Sequence, residues 1–215
     1  MVCAALAPIL LCHARQMAIY KDWVTMHQRC RTSLRKQIQM EVNASLQYLA
    51  LGAHFSKDTY GYHFHLQVNR PGFAKLFFDA AGEEREHAMK LMEYFLMRGE
   101  LTSDVTNLIT IRAPEARSFE SGVQALEHAL TLEHMVTESI RKVIIDCEDG
   151  AKDDHDPTKF NDYHLVDYLT GEFLEEQYKG QRDLAGKAST LKKMMDRHGA
   201  LGEFIFDKKL LGMDI

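Results

Sequence analysis

From Trp23 to Phe55 the chain reads WVTMHQRCRTSLRKQIQMEVNASLQYLALGAHF, with apolar residues returning at helical spacing and no proline or glycine before Gly52. That period predicts one long amphipathic helix. A second helix, PGFAKLFFDAAGEEREHAMKLMEYFLMRGE, is expected to open at Pro71 and run to Gly99. Proline suits a first helical turn, where the amide it lacks would have no partner. The third, SFESGVQALEHALTLEHMVTESIRKVIIDCEDG, starts at Ser118, an N-cap candidate with an acidic residue close behind it in the manner of a capping box, and closes on Gly150. A fourth runs from Asn161 to Gly199, weakly broken by Gly171, Gly180 and Gly186, and ALGEFIFDKKLLG makes a short last one. Helices of roughly seven turns pack side by side. The connection from Glu100 to Arg117 is long, and LTSDVTNLITIRAPEA within it is apolar enough to lie along the bundle. The expected fold class is therefore all-α: a four-helix bundle with one long crossover connection and a short fifth C-terminal helix.

Composition narrows the function classes. The chain has 215 residues, 46% hydrophobic and 27% charged, which suits one globular domain with a full core. Its formal charge of -5 comes from interspersed acids and bases, so there is no basic patch for nucleic acid. No apolar stretch is long enough to span a membrane. The start, MVCAALAPILLCHA, is an apolar run ending in small residues and resembles a secretory signal peptide, although no Lys or Arg precedes it. A short apolar tail tucked against the fold is the plainer alternative. The cysteines are Cys3, Cys12, Cys30 and Cys147, with no CxxC pair. Scattered buried thiols are the plain reading of them. In a secreted chain, Cys30 with either Cys12 or Cys147 is a disulfide candidate.

Chemistry concentrates at Glu83 to Ala88, EEREHA. Glu84 and His87 are three apart and share a helical face. Glu-x-x-His aimed into a bundle core is half of a carboxylate-bridged two-metal site, and carboxylate with imidazole suits iron. Alone, the motif is common on solvated acidic helices. The other helices add weight. Glu41 stands among Ile38, Met40, Val42 and Leu46, with Tyr48 two turns on; Glu133 stands between Leu132 and Val136; Gln177 is one turn from Phe173 and Leu174. A carboxylate amid apolar residues is costly to bury unless it is paired or holds a cation. His63 and His65 form an HxH without a third ligand. The acidic stretch CEDGAKDDHDPTKF fails the EF-hand pattern and reads as a solvated turn.

With these residues in view, the sequence resembles the ferritins of the heavy-chain, ferroxidase-active kind. EEREHA, QIQMEVNASLQYLAL, ESGVQALEHALTLE, EEQ and LGEFIFDKKLLG match that family in order and roughly in spacing across residues 31–213. KDWVTMHQRC and the apolar start are similar to the secreted ferritins of insects. The resemblance implies a ferritin-like bundle at residues 31–215, an N-terminal extension at 15–30 and a signal peptide at 1–14. It also implies iron as substrate at a di-iron centre: Glu41, Glu84, His87, Glu133 and Gln177 as ligands, with Glu84 bridging, and Tyr48 hydrogen-bonding at the site. Glu83 and Glu86 would face a storage cavity. The implied activity is oxidation of Fe(II) by dioxygen, with the product kept as mineral in a shell of twenty-four subunits, either a homo-oligomer or a co-assembly with light-type subunits. Phe204 and Leu211 would lie apolar at its four-fold axis.

Some residues depart from that pattern. The loops after the first and third helices are longer than usual. Asp167 is kept at the expected three-fold pore, but Thr170 stands where a second acid is usual, and Met89 replaces a cavity-facing carboxylate. Gln177, an amide, makes the second iron position weak, which fits release of iron as product. A non-catalytic light-type subunit should lack Glu41, His87 or Gln177, and a di-iron oxygenase should carry a second Glu-x-x-His; this chain does neither. Asn43-Ala44-Ser45 is a glycosylation sequon, expected unmodified because it falls inside the first helix. Residence in the secretory pathway is the expectation, with the cytoplasm as alternative.

Overall fold

A computed structural model describes residues 26–58, 69–100, 108–114, 118–148 and 161–213. His63, His65, Cys12, the segment 1–14 and the acidic stretch at 149–160 lie outside them. The helices are α1 (Gln28–Phe55), α2 (Pro71–Met97), α3 (Gly122–Glu148), α4 (Tyr163–Tyr168), a π-helical turn (Leu169–Leu174), α5 (Glu175–His198) and α6 (Ala200–Leu210). No strand occurs among the described residues, so the fold is all-α, four bundle helices and a short C-terminal one.

The buried residues follow a seven-residue repeat. In α1 these are Leu34, Glu41, Tyr48 and Phe55, with Cys30, Gln37, Ala44 and Leu51 beside them. Phe77, Glu84 and Leu91 form the matching row in α2, and Leu126, Glu133, Ile140 and Cys147 that of α3. Such a repeat keeps one stripe of each helix turned to its neighbours and gives the shallow crossing of bundle helices. Each fully buried Leu or Phe stabilises the fold by about 1.5–3 kcal/mol.

Contacts set the helix directions. Phe55 stacks on Phe73 at 5.1 Å, Ser45 Oγ donates to the Ala81 carbonyl at 2.7 Å, and the Arg35 guanidinium lies 5.4 Å from the Phe95 ring centroid. Hence α1 and α2 are antiparallel. Ser33 meets Asp146 and Tyr48 meets Glu133, so α1 and α3 are antiparallel as well. With both antiparallel to α1, α2 and α3 run parallel, and their connection has to travel the length of the bundle. Partway along, Thr110 N donates to Gln39 Oε1 (2.6 Å) and Gln39 Nε2 donates to the Thr110 carbonyl (3.0 Å), fixing this crossover to the middle of α1. At one end Cys30 and Cys147 form a disulfide across 117 residues of sequence.

Three boundaries differ from expectation. Helix α1 starts at Gln28 rather than Trp23. The start of α3 is set by Ser121, not Ser118: Ser121 Oγ accepts from Gln124 N at 3.4 Å while Gln124 Oε1 accepts from Glu120 N at 3.1 Å. The capping residues were present, three positions further along. The fourth bundle helix is unbroken at Gly180 and Gly186, where an added Cβ would meet nothing within 4 Å. Its irregularity is the π turn around Gly171. One extra residue there rotates the rest of the helix by roughly 100°. In this setting Leu169, Phe173, Gln177 and Leu191 all face inward.

Helix α6 does more than close the end. Asp207 Oδ1 accepts from the amides of Gly72 (2.8 Å) and Phe73 (3.1 Å), supplying from a distant helix the cap that α2 lacks locally. A Cβ at Gly72 would stand 2.0 Å from the Asp207 carbonyl oxygen, so only glycine fits. Phe204 is exposed, with Lys208 Nζ 5.0 Å from its ring centroid, and Leu211 is half-buried.

Candidate metal centre

Two apolar clusters fill the bundle. One surrounds the disulfide with Leu34, Ile38, Leu91 and Ile140; the other holds Tyr48, Phe55, Phe73, Phe77 and Phe206. Between them lies a layer of polar side chains on α1, α2, α3 and α5. Glu41 is fully buried, and Glu84, His87, Glu133 and Gln177 nearly so. The seven-residue repeat turns each glutamate inward, at positions where a hydrophobic residue would ordinarily stand.

Glu41, Glu84 and His87 each bring a ligand atom within 4.8 Å of the other two. Their free atoms are telling. Glu41 Oε2, Glu84 Oε2 and His87 Nδ1 are buried without a hydrogen-bond partner. Buried polar atoms are rarely left so, and three oxygen and nitrogen donors converging on one point match the ligand set of a divalent transition metal. Glu41 Oε1 is held by Gln37 Nε2 at 2.7 Å. His87 Nε2 lies 3.3 Å from the Glu176 carboxylate, leaving Nδ1 to face the glutamates.

Glu133 completes the layer on the far side of Glu84. The Tyr48 hydroxyl donates to it. Gln177 Oε1 accepts from Thr137 Oγ1 at 2.9 Å, and the same hydroxyl lies 2.8 Å from the Glu133 carbonyl. Gln37, Thr137 and Glu176 were not foreseen as site residues. Their signal in the sequence was spacing: Gln37 is four before Glu41, and Thr137 four after Glu133.

Without a cation, the layer resists charge. Burial raises Glu41 well above an ordinary carboxylate, and the neighbouring Glu84 adds to this. Glu84 is pushed up to about 8, chiefly by burial and then by the charges of Glu133 and Glu83. Glu133 is raised by burial, against hydrogen bonds from Tyr48 and Gln177. Burial and the Glu133 charge keep Tyr48 protonated. A divalent cation would reverse this balance and draw the carboxylates into their charged form.

Other foreseen residues lie apart. Glu83 is exposed and lines a cleft that reaches Glu84 and His87, together with Asp79, Glu176 and Asp183. Glu86 is exposed and does not line it, and Met89 is exposed. Asp167 and Thr170 are exposed on the fourth bundle helix, where Thr170 Oγ1 donates to the Val166 carbonyl at 2.7 Å. Asn43 lies inside α1, accepting from Gln39 Nε2 at 2.9 Å. Of the disulfide candidates, Cys30 pairs with Cys147.

Comparison with known proteins identifies the family of the chain. The profile of the ferritin-like domain matches residues 32–194. The chain is 71% identical over 204 residues to the ferritin heavy chain of Papilio xuthus, covering 95% of this chain and 90% of that protein. It is 55% identical over 192 residues to the ferritin heavy chain of Drosophila melanogaster, covering 89% and 86%. Among solved structures, the crystal structure of Trichoplusia ni secreted ferritin superimposes with a TM-score of 0.81 at 70% identity, covering 91% of this chain and 94% of that one.

Proposed function

The chain belongs to the ferritin family, and we propose that it stores iron, oxidising Fe(II) to Fe(III) with dioxygen at the polar layer of its bundle and passing the product to a mineral held inside a shell. The observation that carries this reading is the set of three ligand atoms, on Glu41, Glu84 and His87, that are buried close together without a hydrogen-bond partner. Iron is the substrate. Glu41, Glu84 and His87 would hold one Fe(II), and Glu84, Glu133 and Gln177 a second. Two Fe(II) supply two electrons, which take dioxygen to the level of hydrogen peroxide.

The surrounding residues have separable roles. Gln37 fixes Glu41 so that its other oxygen faces the metal. Tyr48 orients Glu133, and Thr137 orients the Gln177 amide. An amide carries no charge and binds a hard cation less tightly than a carboxylate. The second position therefore releases Fe(III) instead of keeping it. Glu83 and Glu176, on the cleft that meets the site, give the leaving ion its next carboxylates.

The bridging test is Glu84→Ala combined with His87→Ala. Stopped-flow absorbance after mixing Fe(II) with oxygen should show almost complete loss of fast oxidation while the bundle stays folded. Oxidation at the parent rate would overturn the site assignment.

Assembly and location rest on further observations. Leu49 and Phe78 are exposed along a groove between α1 and α2 lined by Val42, Leu46 and Gly82, as expected of a surface covered by other subunits. The shell is taken as twenty-four subunits, alone or with light-type chains. No helix among the described residues is long and apolar enough to cross a membrane. Residence in the secretory pathway is supported by the Cys30–Cys147 disulfide, by the apolar run before Ala14, and by similarity to a secreted ferritin. Residues 1–14 are read as its signal and 31–215 as the iron-handling domain. Mass spectrometry of native material tests this: an intact Met1 terminus with every thiol free would refute it.

A further inference from the structure

A continuous line of aromatic rings leads away from His87. Its imidazole centroid lies 5.5 Å from that of Phe173. Phe173 meets Tyr168 edge-on at 5.5 Å, and Tyr168 stacks on Tyr94 at 5.0 Å with an interplanar angle of 12°. The line ends in polar groups. The Tyr94 hydroxyl is 2.9 Å from Nδ1 of His164, an exposed residue, and it accepts from Arg98 Nη1 at 2.8 Å. Arg98 is itself anchored to Asp162 at 2.7 Å. Arg98 can only donate, so it occupies a lone pair of the phenol oxygen, and with His164 in the tautomer that leaves Nδ1 unprotonated the phenol's own proton points at Nδ1. Packing alone asks only for rings here, and Phe at positions 94 and 168 would provide them. The two hydroxyls, and a proton acceptor fitted to one of them, are what packing leaves unexplained.

We propose that Tyr168 and Tyr94 form a one-electron relay that carries oxidising equivalents from the iron site to the His164 edge of the protein. The inference rests on the iron-oxidation reading above, which places peroxide next to Fe(II). When a further Fe(II) at His87 gives one electron to hydrogen peroxide, the O–O bond breaks, leaving Fe(III), hydroxide and a hydroxyl-radical equivalent. That oxidant becomes a second hydroxide by drawing one electron from Tyr94 through the Tyr168 ring in a single step, as Tyr94 passes its phenolic proton to His164 Nδ1. In sum, Fe(II), hydrogen peroxide, the Tyr94 phenol and neutral His164 give Fe(III), two hydroxides, a Tyr94 phenoxyl radical and protonated His164. Burial holds both phenols above the ordinary tyrosine value, so each is a full phenol whose oxidation needs a proton acceptor, and His164 Nδ1 stands at that place for Tyr94. The oxidising equivalent ends beside an exposed side chain, where a small reductant can reach it, and the carboxylates of the site are spared.

The experiment uses the assembled protein, freeze-quenched after Fe(II) and hydrogen peroxide are mixed, and read by electron paramagnetic resonance. Ring-deuterated tyrosine identifies the signal as a tyrosyl. The parent should show it. Tyr94→Phe should reduce it to baseline while keeping the parent thermal midpoint and Fe(II) oxidation rate, and Tyr168→Phe should also suppress it. A tyrosyl signal that persists in Tyr94→Phe would overturn the relay while leaving the iron site intact. If instead Glu84→Ala with His87→Ala oxidises iron normally, the site reading fails first.

Discussion

Replacing Glu84 by Gln keeps the shape of the side chain and removes its charge, so it isolates what the buried carboxylate does in iron-free protein. Glu84 is pushed up to about 8 in the folded chain, from an ordinary value of 4.5. Between those values the folded state holds a proton that the unfolded state has released. Stability therefore falls as pH rises through this window, and is unaffected by this group below it. The difference corresponds to a ceiling of about 5 kcal/mol above pH 8, most of it developed by pH 7. Glu41 and Glu133 share the proton load, so the gain from Gln is on the order of 2–4 kcal/mol. For a domain of this size that is a rise of roughly 5–15 °C in thermal midpoint. Differential scanning calorimetry of the apo parent and Glu84→Gln from pH 4 to 9 reads it directly. The two should coincide near pH 4 and diverge steadily towards pH 8, with Gln the more stable. Anaerobic Fe(II) should then raise the parent more than the variant, because the ligand binds only the folded state. Curves that stay parallel across the range, or a variant whose advantage is greatest at low pH, would refute the buried-carboxylate account.

Other parts of the fold give further outcomes. Cys30→Ser with Cys147→Ser opens a loop of more than a hundred residues and should cost about 4–5 kcal/mol, read as a lowered denaturant midpoint that reductant no longer shifts. Asp207→Ala strips the cap from Gly72 and Phe73 and should cost about 1–2 kcal/mol, with faster hydrogen exchange at those two amides, while Asp207→Asn keeps most of the stability. Light scattering of the purified protein should report a large closed assembly; monomers or dimers alone would count against the shell.

The chain's own pattern was enough to define the bundle. Apolar residues at helical spacing, Pro71 at one start and Gly99 at one end marked the long helices, because amphipathic periodicity and backbone restrictions are local properties. Glu41 was legible because a carboxylate amid apolar residues is anomalous within a few residues of itself, and Glu84 with His87 because a spacing of three puts both on one helical face. What lies across helices was not legible. Nothing near Tyr48 says that its hydroxyl meets Glu133 on α3 and not Glu41 one row back, since that depends on how two antiparallel helices slide past each other. Residues near Pro71 give no hint that Asp207 caps α2. The open choice among cysteines was settled once α1 and α3 came together end to end, with Cα atoms 4.6 Å apart. Similarly, three weak glycines gave no reason to expect one π turn over Leu169–Leu174, because one extra residue in a turn leaves no mark in the local pattern. Local periodicity decided which residues are buried; only close packing among four helices decided which buried atoms meet, and which are left without a partner for a metal to satisfy.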